Sequence, residues 1–209
     1  MGAPTAASVQ VADQLRTRIL SGQMQPGMRV RQEDVADELG TSRLPVREAL
    51  RMLAAEGLLE REANKGARVP VLDVSELAIV YKMRERLEPL ALIESMSNLE
   101  DDVIAELRRI QARIAGDSDL RNFLALDREF HMLTYSGCTS HNLVATVERF
   151  WNSTQHYRRT FMEMTGPDRR WIINAEHDLL VDAISRRDFE DAERHLAGHI
   201  RRTRIELTK

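Results

Sequence analysis

One cysteine, Cys138, leaves no partner for an internal disulfide and suits a chain that works in a reducing compartment. Aromatic residues are scarce at 5%, against 30% charged residues, a balance that favours a helix-rich protein over a β-sandwich. No apolar run approaches the ~20 residues of a membrane span. The opening MGAPTAASVQ has neither the basic nor the apolar region of a secretory signal, and Ala6 stands where myristoylation needs Ser or Thr. A cytoplasmic protein without membrane attachment is the expectation. A dominant charge sign is missing too. The net charge is −3, with 10 Lys+Arg against 9 Asp+Glu in residues 1–72 and 20 against 24 in the remainder. Any binding to nucleic acid must therefore come from local clustering, not from overall charge. At 209 residues the chain has room for one large or two modest domains with real cores.

One such cluster is present. The stretch TSRLPVREALRMLAAEG, Thr41–Gly57, spaces Arg43, Arg47 and Arg51 four apart, so on a helix they form one row. Val46, Leu50 and Leu53 keep the spacing of a buried face about a quarter-turn from that row, at roughly 100° per residue. Ser42 is placed to cap the helix, Pro45 falls in its first turn, and Gly57 suits its end. Such a helix can pack on one face and offer guanidinium groups to an anion. Taken alone, a solvated charged face explains it equally well.

The flanking segments give that helix a context. Residues 1–7 are small and featureless and read as a mobile arm. From Ser8, the spacing of Val11, Leu15 and Ile19 predicts a helix that closes at Ser21–Gly22. GQMQPGMRV is a turn-rich connector with its breaker at Pro26–Gly27. Gln32–Leu39 is a short helix that turns Val35, Ala36 and Leu39 inward, and Gly40-Thr41-Ser42 leads into the arginine helix. Two short helices joined by a tight glycine-containing turn make a helix-turn-helix. Leu58–Glu62 and Ala67–Val71 read as two strands around the turn Ala63-Asn64-Lys65-Gly66, a wing with Lys65, Gly66 and Arg68 at its tip. Residues 8–71 thus read as a winged helix-turn-helix domain.

Beyond Val71 only helical periodicity remains. Helices are expected at Asp73–Asn98 with a kink at Pro89, from Asn98 or Glu100 to Ala115, and at Asp117–Tyr135. Three more follow at His141–Met164, Asp168–Arg186 and Asp188–Thr208. These six predict an all-α bundle over residues 74–209, in a mainly α protein. Four titratable residues fall on its apolar faces. Asp127 and His131 are i, i+4 neighbours beside Phe123, Leu126 and Phe130; His177 lies among Ile173, Leu180, Val181 and Ile184; His199 lies with Ala192 and Leu196. Singly, each histidine fits a satisfied core residue. Together they make a mixed nitrogen and oxygen set for a divalent transition metal with open positions. His195, one turn before His199, competes as a ligand from the same helix.

Two stretches resemble a known family. SRLPVREALRMLAAEGLLEREANKGARV resembles the DNA-binding signature of the GntR family of bacterial transcription regulators, in the branch whose helix begins S-R-x-P-V-R-E-A-L and whose wing ends N-x-G-x-x-V. The resemblance implies that Arg43 and Arg47 contact base edges or nearby phosphates, as arginine does with guanine O6 and N7. Leu44 would meet a thymine methyl and Arg51 a phosphate or a structural partner. Gly66 would let the wing approach the minor groove, with Lys65 beside it. Several relatives place a DNA-contacting arginine where this chain has Glu33; Arg31 would then serve a phosphate.

The segments MRERLEPLA, LDREFHMLTYSG, EHDLLVDAISRRD and AERHLAGHI resemble the FCD effector-binding domain of the FadR-like branch. That resemblance implies a metal, often zinc or nickel, on Asp127, His131, His177 and His199, with a small carboxylate effector completing its coordination. Six helices instead of seven point to the VanR-like subgroup. Arg84 would pair with the effector carboxylate, or else with Glu88 on the surface, and Asn174 is a second pocket residue. The reading is a transcription regulator, a repressor by the family's commoner behaviour, that binds a palindromic DNA operator as a homodimer. Two alternatives stand beside it: a regulator whose signal is the metal alone, and a metal-dependent hydrolase fused to a DNA-binding domain. No carboxylate or histidine is placed as a general base, so an enzyme is not expected.

Overall fold

The computed structural model describes residues 5–62, 66–117, 119–166 and 169–209. Packing divides the chain into two units, Met1–Leu72 with Arg149–His156, and Asp73–Glu148 with Tyr157–Lys209. The division differs from a single cut near residue 72 in one respect, the grouping of Arg149–His156 with the N-terminal part.

In the first unit, α1 (Ala6–Leu20) starts two residues before the apolar spacing shows it, because the Thr5 side chain accepts from the Ser8 N–H at 3.2 Å and caps the helix. Ala6 and Ala7 therefore belong to a helix and not to an arm. α2 (Gln32–Glu38) and α3 (Arg43–Ala55) form the helix-turn-helix. Val46, Leu50 and Leu53 are buried, and with Val11, Leu15 and Val35 they make one core. Each such side chain removed from water contributes about 1.5–3 kcal/mol. Ser42 holds the N-cap position of α3 in extended backbone, without a side-chain capping bond among the described residues. Gly57, at φ +76°, follows the helix as its stop.

The connector before α2 is not wholly irregular. Its last two residues form β1 (Arg29–Val30), which pairs antiparallel with β3 (Gly66–Arg68), and β3 pairs in turn with β2 (Glu60–Glu62). The wing is therefore part of a three-stranded sheet, order β1-β3-β2, and not a lone hairpin. A two-residue strand carries no periodicity, so only the pairing reveals it. The turn read at residues 63–65 lies outside the described residues.

The second unit contains α4 (Val74–Met96), α5 (Asp101–Gly116), α6 (Leu120–Thr134), α7 (His141–Thr165), α8 (Arg170–Ser185) and α9 (Phe189–Leu207), with no strand among the described residues. Residues 149–156 of α7 group with the first unit. Aspartates open three of these helices: Asp73, Asp119 and Asp188 each accept a backbone N–H of the first turn. α4 continues as one helix through the buried Pro89. It packs along α9, while α5 packs on α6 and α8, and α8 on α9. Between α8 and α9, Arg187 takes a left-handed conformation at φ +56°. Its guanidinium donates to the Met96 carbonyl and, at 2.6 Å, to that of Leu99, which ties this turn to the α4–α5 connection. No helix of the described residues is long and apolar enough to cross a membrane.

Gly66 combines φ +90° with a close approach, since a Cβ there would overlap the Val30 carbonyl oxygen of β1. Gly66→Ala is expected to cost about 1–3 kcal/mol of stability, read as a lower urea midpoint at unchanged m-value.

Candidate functional site

Two sites are built, one in each unit. In the first, the N-terminal turns of α2 and α3 and the strands β1 and β2 border a concave face. It is lined by Arg29, Arg31, Arg43, Arg47, Arg51 and Arg61, with Gly66 at its edge. Two carboxylates share it, Glu33 and Glu62. A face with this excess of guanidinium groups suits a polyanion. Arg43 and Arg47 project from the exposed side of α3, and Leu44 between them is 59% exposed, an apolar side chain held in water. Arg43 is not free, because its Nη2 lies 2.9 Å from Glu33 Oε1. Arg51 is half-buried and lies 3.4 Å from Glu48, which fits a supporting role better than a base contact. Arg31 is exposed at the N-cap of α2. Lys65 lies outside the described residues. Arg68 faces inward to Glu62, 2.8 Å from Nε to Oε1, and fastens β3 to β2.

Arg29 and Arg61 were not legible as members of this face. Arg29 belongs to the two-residue strand hidden in the connector. Arg61 sits in a three-residue strand, too short for alternation to mark its face, and its neighbour Glu62 lines the same concavity.

In the second unit, α6, α8 and α9 bring His131, His177 and His199 together. One ring nitrogen from each lies within 4.8 Å of the other two. The ring centroids stand 5.1 Å apart for His131–His177 and His177–His199, and 5.2 Å for His131–His199, close to an equilateral triangle. Phe130 stacks on His177 at 4.4 Å and closes one side. His195, the competing ligand, is not in the cluster.

Outer contacts decide which nitrogens face inward. Gln111 Nε2 donates to the Asn174 carbonyl at 3.2 Å, so its Oε1 is the end 3.0 Å from His177 Nδ1. Nδ1 must then carry the proton, and the lone pair is on Nε2. On the other side, His199 Nδ1 lies 2.9 Å from Glu176 Oε2, and Arg202 holds the second oxygen of that carboxylate at 2.5 Å. Sequence reasoning missed Gln111, Glu176 and Arg158. Each acts across distant helices, and none interrupts an apolar stripe in a way that marks a ligand.

Asp127 stands beside the triangle. Its Oδ1 is 3.6 Å from His177 Nε2, and Oδ2 accepts a short hydrogen bond from Arg158. Burial alone would push this carboxyl up, but Arg158 and the neighbouring imidazoles outweigh it and hold the carboxyl below its ordinary value. Burial pushes the His131 imidazole well down, reinforced by His177 and His199. The same burial, with His199 beside it, lowers His177 to about 3. Both rings are therefore neutral at ordinary pH, the form in which imidazole binds a metal. His177 Nε2 is buried without a hydrogen-bond partner, as is Asn174 Oδ1 one turn earlier. The donor set fits a divalent transition metal: three converging imidazole nitrogens, a nearby carboxylate, and outer groups that orient two of the rings.

Arg84 is neither on the surface nor free. It is 2% exposed, pairs with Glu88 at 2.5 Å and lies 4.7 Å over the Tyr81 ring. Tyr135 donates to the other oxygen of Glu88 at 2.7 Å. The surface pairing expected as one alternative is thus a buried network. The i, i+4 spacing was right, but spacing does not report depth.

A winged helix-turn-helix joined to a helical unit with a buried histidine cluster is the build of a bacterial transcription regulator. Residues 7–69 match the family described as bacterial regulatory proteins, gntR family, and residues 79–202 match the FCD domain. The chain is 32% identical to the probable D-xylose utilization operon transcriptional repressor of Paenarthrobacter nicotinovorans, over 94% of this chain and 86% of that protein. It is 28% identical to the uncharacterized HTH-type transcriptional regulator YdhC of Bacillus subtilis, over 94% and 88%. The solved structure of E. coli McbR/YncC shares its fold, with a TM-score of 0.84 over 97% of each chain at 23% identity. The chain belongs to the GntR family of bacterial regulators, in the branch that carries an FCD domain. Like these relatives it is a regulator of transcription and not an enzyme.

Removing Arg84 would strand the buried Glu88 charge. Arg84→Ala is expected to lower stability by about 3–5 kcal/mol, measured by urea unfolding, and Arg84→Ala with Glu88→Leu should recover part of the loss.

Proposed function

We propose that the chain is a cytoplasmic repressor that binds a palindromic DNA operator as a homodimer, one winged unit on each half-site. A small carboxylate metabolite, bound beside a zinc or nickel ion in the helical unit, would alter that binding. The observation that carries the effector part is the triangle of imidazoles, two of them oriented from outside. His131, His177 and His199 would hold the metal. Asp127 would add an oxygen through Oδ1 while Arg158 keeps Oδ2. Bound there, the ion would supply a Lewis acid with positions left for a carboxylate. Asn174, with its buried unpartnered oxygen, is placed for a polar group of the effector. Arg84 would meet the effector carboxylate only by exchanging Glu88 for it.

For DNA, the supporting observation is that Arg43 and Arg47 stand exposed on α3 at a concave arginine-rich face. Arg31, Arg51, Lys65 and Gly66 would contribute phosphate contacts or close approach, and Leu44 an apolar contact to a thymine methyl. Coupling between effector and DNA in such regulators is typically about 1–3 kcal/mol, enough for several-fold changes in occupancy.

Two experiments test the reading. Arg47→Ala should weaken binding to a selected operator by about 1–3 kcal/mol in a mobility-shift titration, with an unchanged melting temperature. Unchanged specific binding in both Arg43→Ala and Arg47→Ala would remove α3 as the reading helix. Metal analysis of purified protein should find one divalent transition ion per chain, lost in His177→Ala. If chelation lowers stability but leaves the response to added carboxylates intact, the ion is structural and not part of sensing.

A further inference from the structure

Glu33 is out of place on a surface that binds phosphate. It sits in the first turn of α2, faces the same concavity as the arginines, and reaches across to Arg43 on α3. A carboxylate there repels the backbone of every DNA sequence alike. The other carboxylate of the face has a structural reason to be present. Glu62 is half-buried and holds Arg29 and Arg68, joining the strands of the wing. Glu33 holds nothing of that kind. Its side chain is 64% exposed and that of Arg43 69%, and exposed pairs add little to stability.

What the pair does control is the direction of Arg43. Arg43 is the first residue of α3, so its long side chain has few neighbours to fix it. The ion pair draws the guanidinium toward α2 and leaves its remaining N–H groups available to a base edge. A two-bond contact to a guanine then costs less ordering than it would from a free arginine. Arg47, one turn on, has no carboxylate within ion-pair range among the described residues. The two arginines are therefore chemically unequal: one is buttressed, the other is free to follow phosphate or base.

We propose that Glu33 is a specificity-determining positioning residue: it aims Arg43 at a base edge and penalises binding to DNA of arbitrary sequence. This rests on the reading of α3 as the recognition helix. Removing the charge should raise affinity for random DNA by relieving repulsion of the backbone, and lower the preference for the operator through Arg43.

The test uses the whole 209-residue chain in four forms: wild type, Glu33→Gln, Arg43→Ala and the double variant. An operator is first selected from random DNA with the wild type. Specific and random-sequence affinities are then measured by titration at one fixed salt concentration. Glu33→Gln is expected to bind random DNA several-fold more tightly and to lose about tenfold in the specific-to-random ratio. Repeated selection should show degeneracy at one base position per half-site, with the others kept. In the Arg43→Ala background the Glu33 change should have little further effect on the ratio. Thermal midpoints within error of wild type separate this from a loss of fold. A ratio within twofold of wild type in Glu33→Gln, or losses that add independently in the double variant, overturns the proposal while leaving operator recognition standing. If the wild type selects no operator, the reading of α3 fails and this inference fails with it.

Discussion

A polar group taken out of water must find a partner, and that constraint organises the helical unit. Its interior holds Arg84, Glu88, Asp127, His131, Arg158 and His177, an unusual load for a bundle core. Arg84, Glu88 and Tyr135 close a network between α4 and the end of α6. Arg158 answers Asp127, and Gln111 answers one side of His177. Every one of these contacts joins different elements or successive turns, so the helices are registered against each other by hydrogen bonds as well as by apolar packing. The groups that remain unanswered cluster on α8, at His177 Nε2 and Asn174 Oδ1.

The winged unit follows a different logic. Its core is ordinary and apolar, and its charges are gathered at the surface, where α2, α3 and the short sheet meet. Net charge close to zero in this part of the chain is compatible with a strongly basic face, because the carboxylates are placed elsewhere or tied to individual arginines. Arg16 with Glu56 and Arg18 with Glu38 are pairs of that kind. Clustering, and not composition, makes the face basic.

Local pattern carried much of this architecture. The row of arginines on α3, its buried face, the six helices after the wing and the three histidines that converge were all legible from spacing within single helices. What escaped were contacts without a local signal. β1 has two residues and is defined only by its pairing with β3. The partners of the histidines lie far along the chain, 66 residues from His177 to Gln111 and 23 from His199 to Glu176. Asp127 and Arg158 are 31 apart. Periodicity could show that Arg84 and Glu88 share a face, but depth depends on what α6 lays over them. The Thr5 cap was missed for a simpler reason: Ala6 and Ala7 are too small to announce a buried face.

The amide of Gln111 has two unlike ends, and α8 meets both. The Asn174 carbonyl takes the NH2 group and the His177 ring takes the oxygen, from positions three apart on the same helix. The location of the imidazole proton is therefore set within a single turn of α8, read through one side chain of α5. A sliding of α5 against α8 would stretch both bonds but could not exchange them. Only unwinding that turn, or rotating the amide against the carbonyl that holds it, would hand the lone pair to the other nitrogen. The chemistry at the centre of the helical unit thus depends on the regularity of one helical turn of α8 together with the seating of α5 against it.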